Sequence, residues 1–286
     1  MTFFTRLFNS RNHVPSWANF FTKEEYTIFI NEVHSTLNDF ALEYKMEDGV
    51  IHLSNDRNLG LLNLAKQCKN SNLQNYKETI DDHFESIIKA EEFAREFHKI
   101  EDDFEQVKKY IGIKICSYEY IEGIEASKKI DKEICNHIHA MVIFDLPYTI
   151  SSVNKKFLGS WNKTPEELFE LGKKNISEKY NFTFETLTEG EFVSYALEGE
   201  TLFEANVILD LENKKDLLGK KGAFIIVPNQ NIVIIYPVNE ESEVNSVSYF
   251  ARVVLDNILN DNAPNLVSRD LYWYSEGKLK KVNYEL

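Results

Sequence analysis

Cys135-Asn136-His137-Ile138-His139 gathers metal-ligating side chains at alternate positions of this 286-residue chain. On an extended strand, residues two apart share a face, so the thiol and both imidazoles would point the same way. Thiolate and imidazole suit zinc. The spacing argues against a site. At ~3.3 Å per residue the three ligands would be strung over ~13 Å, too linear for a compact tetrahedron. No second Cys or His pair lies close by in sequence. The expectation is two polar histidines on a strand face or turn, with no metal.

Other chemistries find less. Nucleophilic catalysis needs a Ser or Cys beside a base, and there is no Gly-x-Ser-x-Gly elbow. Cys116 sits in the apolar run Ile113 to Cys116 and reads as an inert core thiol. Neither a Walker A loop nor Gly-x-Gly-x-x-Gly occurs, so no nucleotide cofactor is expected. Gly219-Lys220-Lys221-Gly222 reads as a basic turn. The carboxylate pairs Asp81-Asp82 and Asp102-Asp103 fall in a helical stretch where adjacent residues diverge, which reads as a solvated face.

The charge distribution is uneven. The chain carries a formal net charge of −14. Phosphate backbones would be repelled, so nucleic acid is not an expected partner. Residues 181 to 213 hold eight Asp or Glu and no Lys or Arg. Such a stretch either solubilises the surface or docks a basic protein. Glu191, Glu198, Glu200 and Glu204 are the candidate contacts within it.

The elements that position these residues follow from patterning. Thr22-Lys23-Glu24-Glu25 is a capping box, and Tyr26, Phe29, Ile30, Val33 and Leu37 continue at helical spacing. Phe40 to Tyr44 and Val50 to Leu53 are short extended segments around Glu47-Asp48-Gly49. Leu59 to Cys68 reads as a short helix. Asn75 to Tyr110 reads as one long helical stretch, with a break near Glu91 as the alternative. From Ile111 the texture turns β-rich: Ile113 to Tyr118, His139 to Phe144 and Thr149 to Val153. Thr164-Pro165-Glu166-Glu167 is a second capping box with Pro at the first helical position, opening a helix to about Asn175. Strands at Phe182 to Leu187 and Phe192 to Leu197 and a helix from Leu202 to Leu211 follow. Later come a helix through Val244 and Ile258, and a hairpin of Leu271 to Tyr274 and Leu279 to Tyr284.

The hairpin GAFIIVPNQNIVIIYPVN is apolar at every position of both arms. That pattern marks strands covered on both faces. Its polar tip, Pro228-Asn229-Gln230-Asn231, reads as a four-residue turn, with Asn229, Gln230 and Asn231 as candidate binding groups if the tip faces a ligand.

Three segments carry a resemblance. VPNQNIVIIYPVN followed by a helix and LYWYSEGKLKKV, the segment FLGSWNKTPEELFELGKKNI, and the surroundings of Phe144-Asp145-Leu146-Pro147 are similar to the YtpQ-like bacterial proteins, a family of unknown function. The likeness spans about Ile111 to the C-terminus and implies a shared fold and no activity. The family's Asp after Gln is Asn231 here, so no carboxylate role carries over.

The sequence thus points to an α+β protein with a mixed or antiparallel sheet and helices packed over it. Residues 1 to 110 form a mainly helical part, either a separate domain or the helical half of a single α+β domain, and 111 to 286 the YtpQ-like part. No apolar run approaches the ~18 residues a membrane span needs, and the start lacks a signal-peptide pattern. A weak amphipathic anchor through Phe3, Phe4, Leu7 and Phe8 is the alternative to a first packed helix or arm there. Three widely spaced cysteines suit a reducing cytoplasm. The expected function is non-catalytic protein binding of the immunity or inhibitor type, through the acidic region and the hairpin tip. The competing class is a hydrolase-type enzyme whose site is assembled from scattered residues.

Overall fold

The computed structural model describes residues 14–54, 57–190, 192–260 and 265–283. The residues of the suggested N-terminal anchor, Glu191 and Tyr284 lie outside the described residues. The chain divides into two compact units, Met1–Glu96 and Phe97–Leu286.

In the first unit, helix α1 (Lys23–Asp39) starts at the expected capping box. Thr22 Oγ1 accepts from the Glu25 backbone N–H at 3.3 Å, and the Glu25 carboxylate accepts from the Thr22 N–H at 2.7 Å. Three antiparallel strands follow: β1 (Tyr44–Glu47), β2 (Val50–Leu53) and β3 (Asn58–Gly60). The first lies later than Phe40 to Tyr44, because Phe40 still caps α1 and Ala41 has φ 52°. Asp48 (φ 46°) and Gly49 (φ 75°) make the tight turn between β1 and β2, a left-handed pair that Asp-Gly favours. Leu59, expected to be helical, is in β3, and α2 runs Leu62–Lys69. Helix α3 spans Tyr76–Phe97. Phe29, Val33, Leu37, Ile51, Leu64, Tyr76, Ile80 and Phe84 form the core of this unit.

The expected long helix ends at Phe97, not near Glu91. Asp103 starts a new short helix, α4 (Phe104–Val107), by accepting from the Glu105 N–H at 3.1 Å. Asp103 is therefore a cap, a role that the reading of Asp102-Asp103 as a solvated face missed. Phe97 opens the second unit by setting its ring edge-on to Phe144, centroids 4.8 Å apart. Trp161 fixes the intervening turn, its Nε1 donating to the Glu101 carbonyl at 3.0 Å.

The second unit holds two antiparallel sheets. The smaller is built from β4 (Ile111–Ser117), β5 (Asp131–Cys135), β6 (Ile138–Leu146) and β7 (Thr149–Ser152), with β6 paired to all three others. Short helix α5 (Tyr118–Glu122) lies between β4 and β5, and α6 (Lys156–Ser160) follows β7. Helix α7 (Pro165–Lys179), opened by the second capping box, crosses β4 at its two glycines. A Cβ on Gly172 would come within 2.9 Å of the Gly112 carbonyl carbon.

The larger sheet comprises β8 (Glu185–Glu189), β9 (Phe192–Glu198), β10 (Gly222–Asn229), β11 (Ile232–Val238), β12 (Leu271–Ser275) and β13 (Lys278–Lys281). Its order is β13-β12-β10-β11-β9-β8. The expected helix after β9 is a 3-10 segment, Glu204–Asn213, kinked at Asp210. Helix α8 (Val244–Asn260) covers one face through Val247, Ala251 and Leu255 against Phe224, Ile226, Ile234 and Tyr236. Ala223, Ile225, Val227, Val233 and Ile235 on the opposite face are buried too. The unbroken apolar arms of the hairpin are thus central strands covered on both sides. The fold is α+β and antiparallel in every sheet described.

Candidate functional site

The polar tip of the β10–β11 hairpin is internal. Only Gln230 and Asn231 form the turn, while Pro228 and Asn229 belong to β10. The four-residue turn expected over Pro228 to Asn231 is thereby corrected. The register shifts between Ile226 and Asn229. Pro228 has no N–H to give a ladder, and a bulge is where a strand tolerates that. Asn229 Oδ1 accepts from the Asn231 N–H at 2.9 Å, which tightens the turn.

The tip's polar groups bond neighbouring segments, although Gln230 Oε1 is buried without a hydrogen-bond partner. Gln230 is 3% exposed, and its Nε2 donates to the Ile115 carbonyl in β4 at 3.0 Å. The Gln230 carbonyl accepts from the Ala205 N–H at 3.1 Å. Asn231 Nδ2 donates to the Gly199 carbonyl at 3.2 Å and to that of Thr201. The same loop is held by Glu204, which is 4% exposed. Its carboxylate accepts from the Thr201 N–H (3.1 Å), the Thr201 hydroxyl (2.8 Å) and the Phe203 N–H (3.2 Å). It packs so closely over Gly199 that any Cβ there would collide with it. The fold brings Glu204, Asn229, Gln230 and Asn231 together in one internal network that ties the hairpin to the 199–205 loop and to β4.

The remaining acidic residues divide differently. Glu185 and Glu189 on β8, Glu198 at the end of β9 and Glu200 just beyond it are exposed. Asp210 is not part of that surface, since it pairs with Lys173 at 3.4 Å. Strand β8 ends the larger sheet, and every one of its residues is exposed. Among the described residues it pairs only with β9. Its register places Glu185, Leu187 and Glu189 opposite Ala196, Ser194 and Phe192, so the three share one face of the sheet. Among the described residues, Glu185, Glu189, Glu198 and Glu200 have no basic partner in ion-pair range. The outer edge of β8 therefore offers unpaired main-chain groups beside uncompensated carboxylates.

Cys135, His137 and His139 do not share a strand. Cys135 ends β5, His137 stands in the turn at φ 71°, and His139 is on β6. Among the described residues no group of three or more His, Cys, Asp or Glu side chains is arranged to hold a metal. His139 Nδ1 meets Asp131 Oδ2 at 3.1 Å, a dyad that the sequence spacing did not suggest. Its ring lies 5.8 Å from that of Tyr118. The nearest thiol, Cys116, has its pKa pushed by burial up to about 12, so it supplies no thiolate at neutral pH.

A cavity of about 350 Å³ lies between the second half of α7 and the 3-10 segment. Lys173, Tyr180, Asn206 and Lys214 are among its lining. None was singled out by sequence. Lysines spaced along a helix look like a solvated face, and the one available signal was the polar Asn206 within Ala205-Asn206-Val207-Ile208-Leu209. Among the described residues no helix is long and apolar enough to cross a membrane. Compared with protein-family models, curated proteins and solved structures, the chain matches none of them.

Proposed function

We propose that this chain is a cytosolic, non-catalytic protein-binding module of the immunity or inhibitor kind, and that it takes a basic, extended segment of its partner along the outer edge of β8. The observation carrying this reading is the sheet edge itself. Free edges invite another strand, and proteins that remain monomeric blunt them with lysines, prolines or covering loops. Strand β8, Glu185-Thr186-Leu187-Thr188-Glu189, carries only negative charge, and Leu187 is an exposed apolar anchor between the two glutamates. Strand addition supplies main-chain hydrogen bonds, and alternate side chains supply selectivity. Lysines or arginines four apart on the incoming strand would meet Glu185 and Glu189, with the residue between them on Leu187. Glu198, opposite Ile232 on β11, extends the same negative field. The three free, buried cysteines fit a reducing compartment. Kinship of residues 111–286 with the YtpQ-like proteins is part of the same proposal and rests on the three segments quoted above.

The test is a labelled peptide of alternating lysine and valine, titrated by fluorescence anisotropy at about 50 mM and about 500 mM salt. Saturable binding that weakens at high salt, and that Glu185→Lys with Glu189→Lys abolishes, supports the reading. Equal binding to the charge-reversed protein overturns it, as does binding of a helical lysine peptide with the same affinity.

A further inference from the structure

The cavity between α7 and the 3-10 segment has features that the protein itself leaves incomplete. Its floor is apolar, from Ile176 and Val207, and the aromatic side chains of Tyr180 and Phe182 stand at its wall. Tyr180 is held in place rather than free to swing. Its ring stacks on Phe203 with centroids 4.7 Å apart, and its hydroxyl donates to Asp145 Oδ2 at 2.9 Å. A preformed, partly aromatic cleft of this size is suited to a small organic molecule.

Asn206 is the second observation. It is 6% exposed and lines the cavity. Its Nδ2 donates to the Phe203 carbonyl at 3.1 Å, while its Oδ1 is buried without a hydrogen-bond partner. Leaving a buried acceptor unmet is unfavourable, because the group has lost its water without gaining a partner. Native proteins retain few such groups. Turning the Asn206 amide toward the cavity would let a ligand donor meet that oxygen.

Charge is the third. The chain as a whole is strongly negative, yet three lysines line this cavity against two carboxylates. Lys173 is committed to Asp210 at 3.4 Å, and Lys174 faces Glu178 at 3.7 Å. Among the described residues Lys214 has no ion-pair partner. An anionic group seated beside Lys214 would supply the missing counter-charge.

We infer that this cavity binds a small anion bearing a planar ring and an N–H donor, with the donor on Asn206 Oδ1, the ring against Tyr180 and Phe182, and the anionic group at Lys214. That chemistry is shared by nucleoside monophosphates and heteroaromatic carboxylates. The site is separate from the β8 edge and does not depend on it.

Isothermal titration of the full chain with each nucleoside monophosphate, with indole-2-carboxylate and with inorganic phosphate tests the assignment. The expected result is saturable binding by at least one ring-bearing anion, weakened about tenfold or more by Lys214→Ala, a factor equivalent to ~1.4 kcal/mol. Which ring-bearing probe binds decides between the two sources. Lys214→Ala alters an accessible side chain, so folding should survive it, and Lys220→Ala in the nearby turn is the control expected to bind normally. Asn206→Leu should weaken binding while circular dichroism stays native. The inference is overturned if no ring-bearing probe binds. It is overturned equally if inorganic phosphate binds as well as the organic anions, or if Lys214→Ala binds like the parent.

Discussion

Gln230 Nε2 donates to the main-chain carbonyl of Ile115 at 3.0 Å across 115 positions of sequence. Both groups are buried, and the bond joins the hairpin of the larger sheet to the first strand of the smaller one. A polar tip that looks in sequence like a surface loop is thus a fastening inside the second unit. Replacing Gln230 by Ala leaves the Ile115 carbonyl unpaired and a void at the tip. The expected loss is ~1–3 kcal/mol, which for a unit of this size lowers Tm by roughly 2–4 °C per kcal/mol. Thermal denaturation followed by circular dichroism measures it. An unchanged Tm would show that the tip is not a fastening.

Two acidic residues four positions apart should behave oppositely. Glu204 satisfies two backbone N–H groups and a hydroxyl from inside the fold, whereas Glu200 is exposed. Glu204→Ala should cost ~1–3 kcal/mol by orphaning those donors. Glu200→Ala should stay within about 0.5 kcal/mol, as surface changes do. Urea denaturation of the two variants separates the roles.

The crossing of α7 over β4 depends on small residues. Gly172→Val would push side-chain atoms into the Gly112 backbone, and backbone cannot swing aside as a flexible side chain can. Overpacking of this kind costs ~1–3 kcal/mol or more. Gly159, where an added Cβ meets nothing within 4 Å, is the matched control. Comparative urea midpoints of Gly172→Val and Gly159→Ala give the answer.

The thiols should be inert in the native state. Burial pushes Cys116 up to about 12 and Cys68 up to about 11, and raises Cys135 as well. An elevated thiol pKa means less thiolate at a given pH, and the buried sulfurs are also out of reach. Iodoacetamide at about pH 8 should leave the native chain unmodified and alkylate all three cysteines once the chain is unfolded. Mass spectrometry counts the adducts, and rapid native labelling of Cys116 would contradict the burial argument.

Alkaline pH should unfold the protein cooperatively. Burial pushes Tyr76 and Tyr236 up to about 12 from an ordinary value of 10.0, and raises Tyr272 further. A folded-state pKa above the unfolded one contributes stability that is complete below the unfolded value. That contribution shrinks as pH rises from 10 towards 12, because the unfolded chain releases the protons first. Tyrosinate absorbance should therefore climb together with loss of secondary structure in this window. Tyrosines titrating smoothly near 10 in a folded chain would rule this out.

What the sequence could show depended on how local the physics was. Both capping boxes were legible because each is a contact between residues three apart, and the helices at Lys23–Asp39 and Pro165–Lys179 begin where Thr22 and Thr164 place them. The doubly covered hairpin was legible because burial on both faces leaves an unbroken apolar run. The break at Phe97 was misplaced, although Asp103 offered a cap signal, because the apolar stripe of Phe97, Ile100, Phe104 and Val107 continues through it. Strand β5 was missed because Asp131-Lys132-Glu133 is charged, and only pairing with β6 holds it extended.

The acidic run and its bias were fixed by composition alone. Which carboxylates face water was a tertiary decision. Glu204 turned inward because Thr201 and Phe203 present N–H groups to it, while Glu185 and Glu189 stayed out because β8, among the described residues, has a neighbour on one side only. The dyad of His139 with Asp131 and the cavity lined by Asn206 and Lys214 join residues eight positions apart in each case, yet they arise differently. The dyad comes from a hairpin register and the cavity from the packing of α7 on the 3-10 segment. Spacing along one chain carries no information about either, because neither pairing register nor helix packing is set by the residues that end up facing each other.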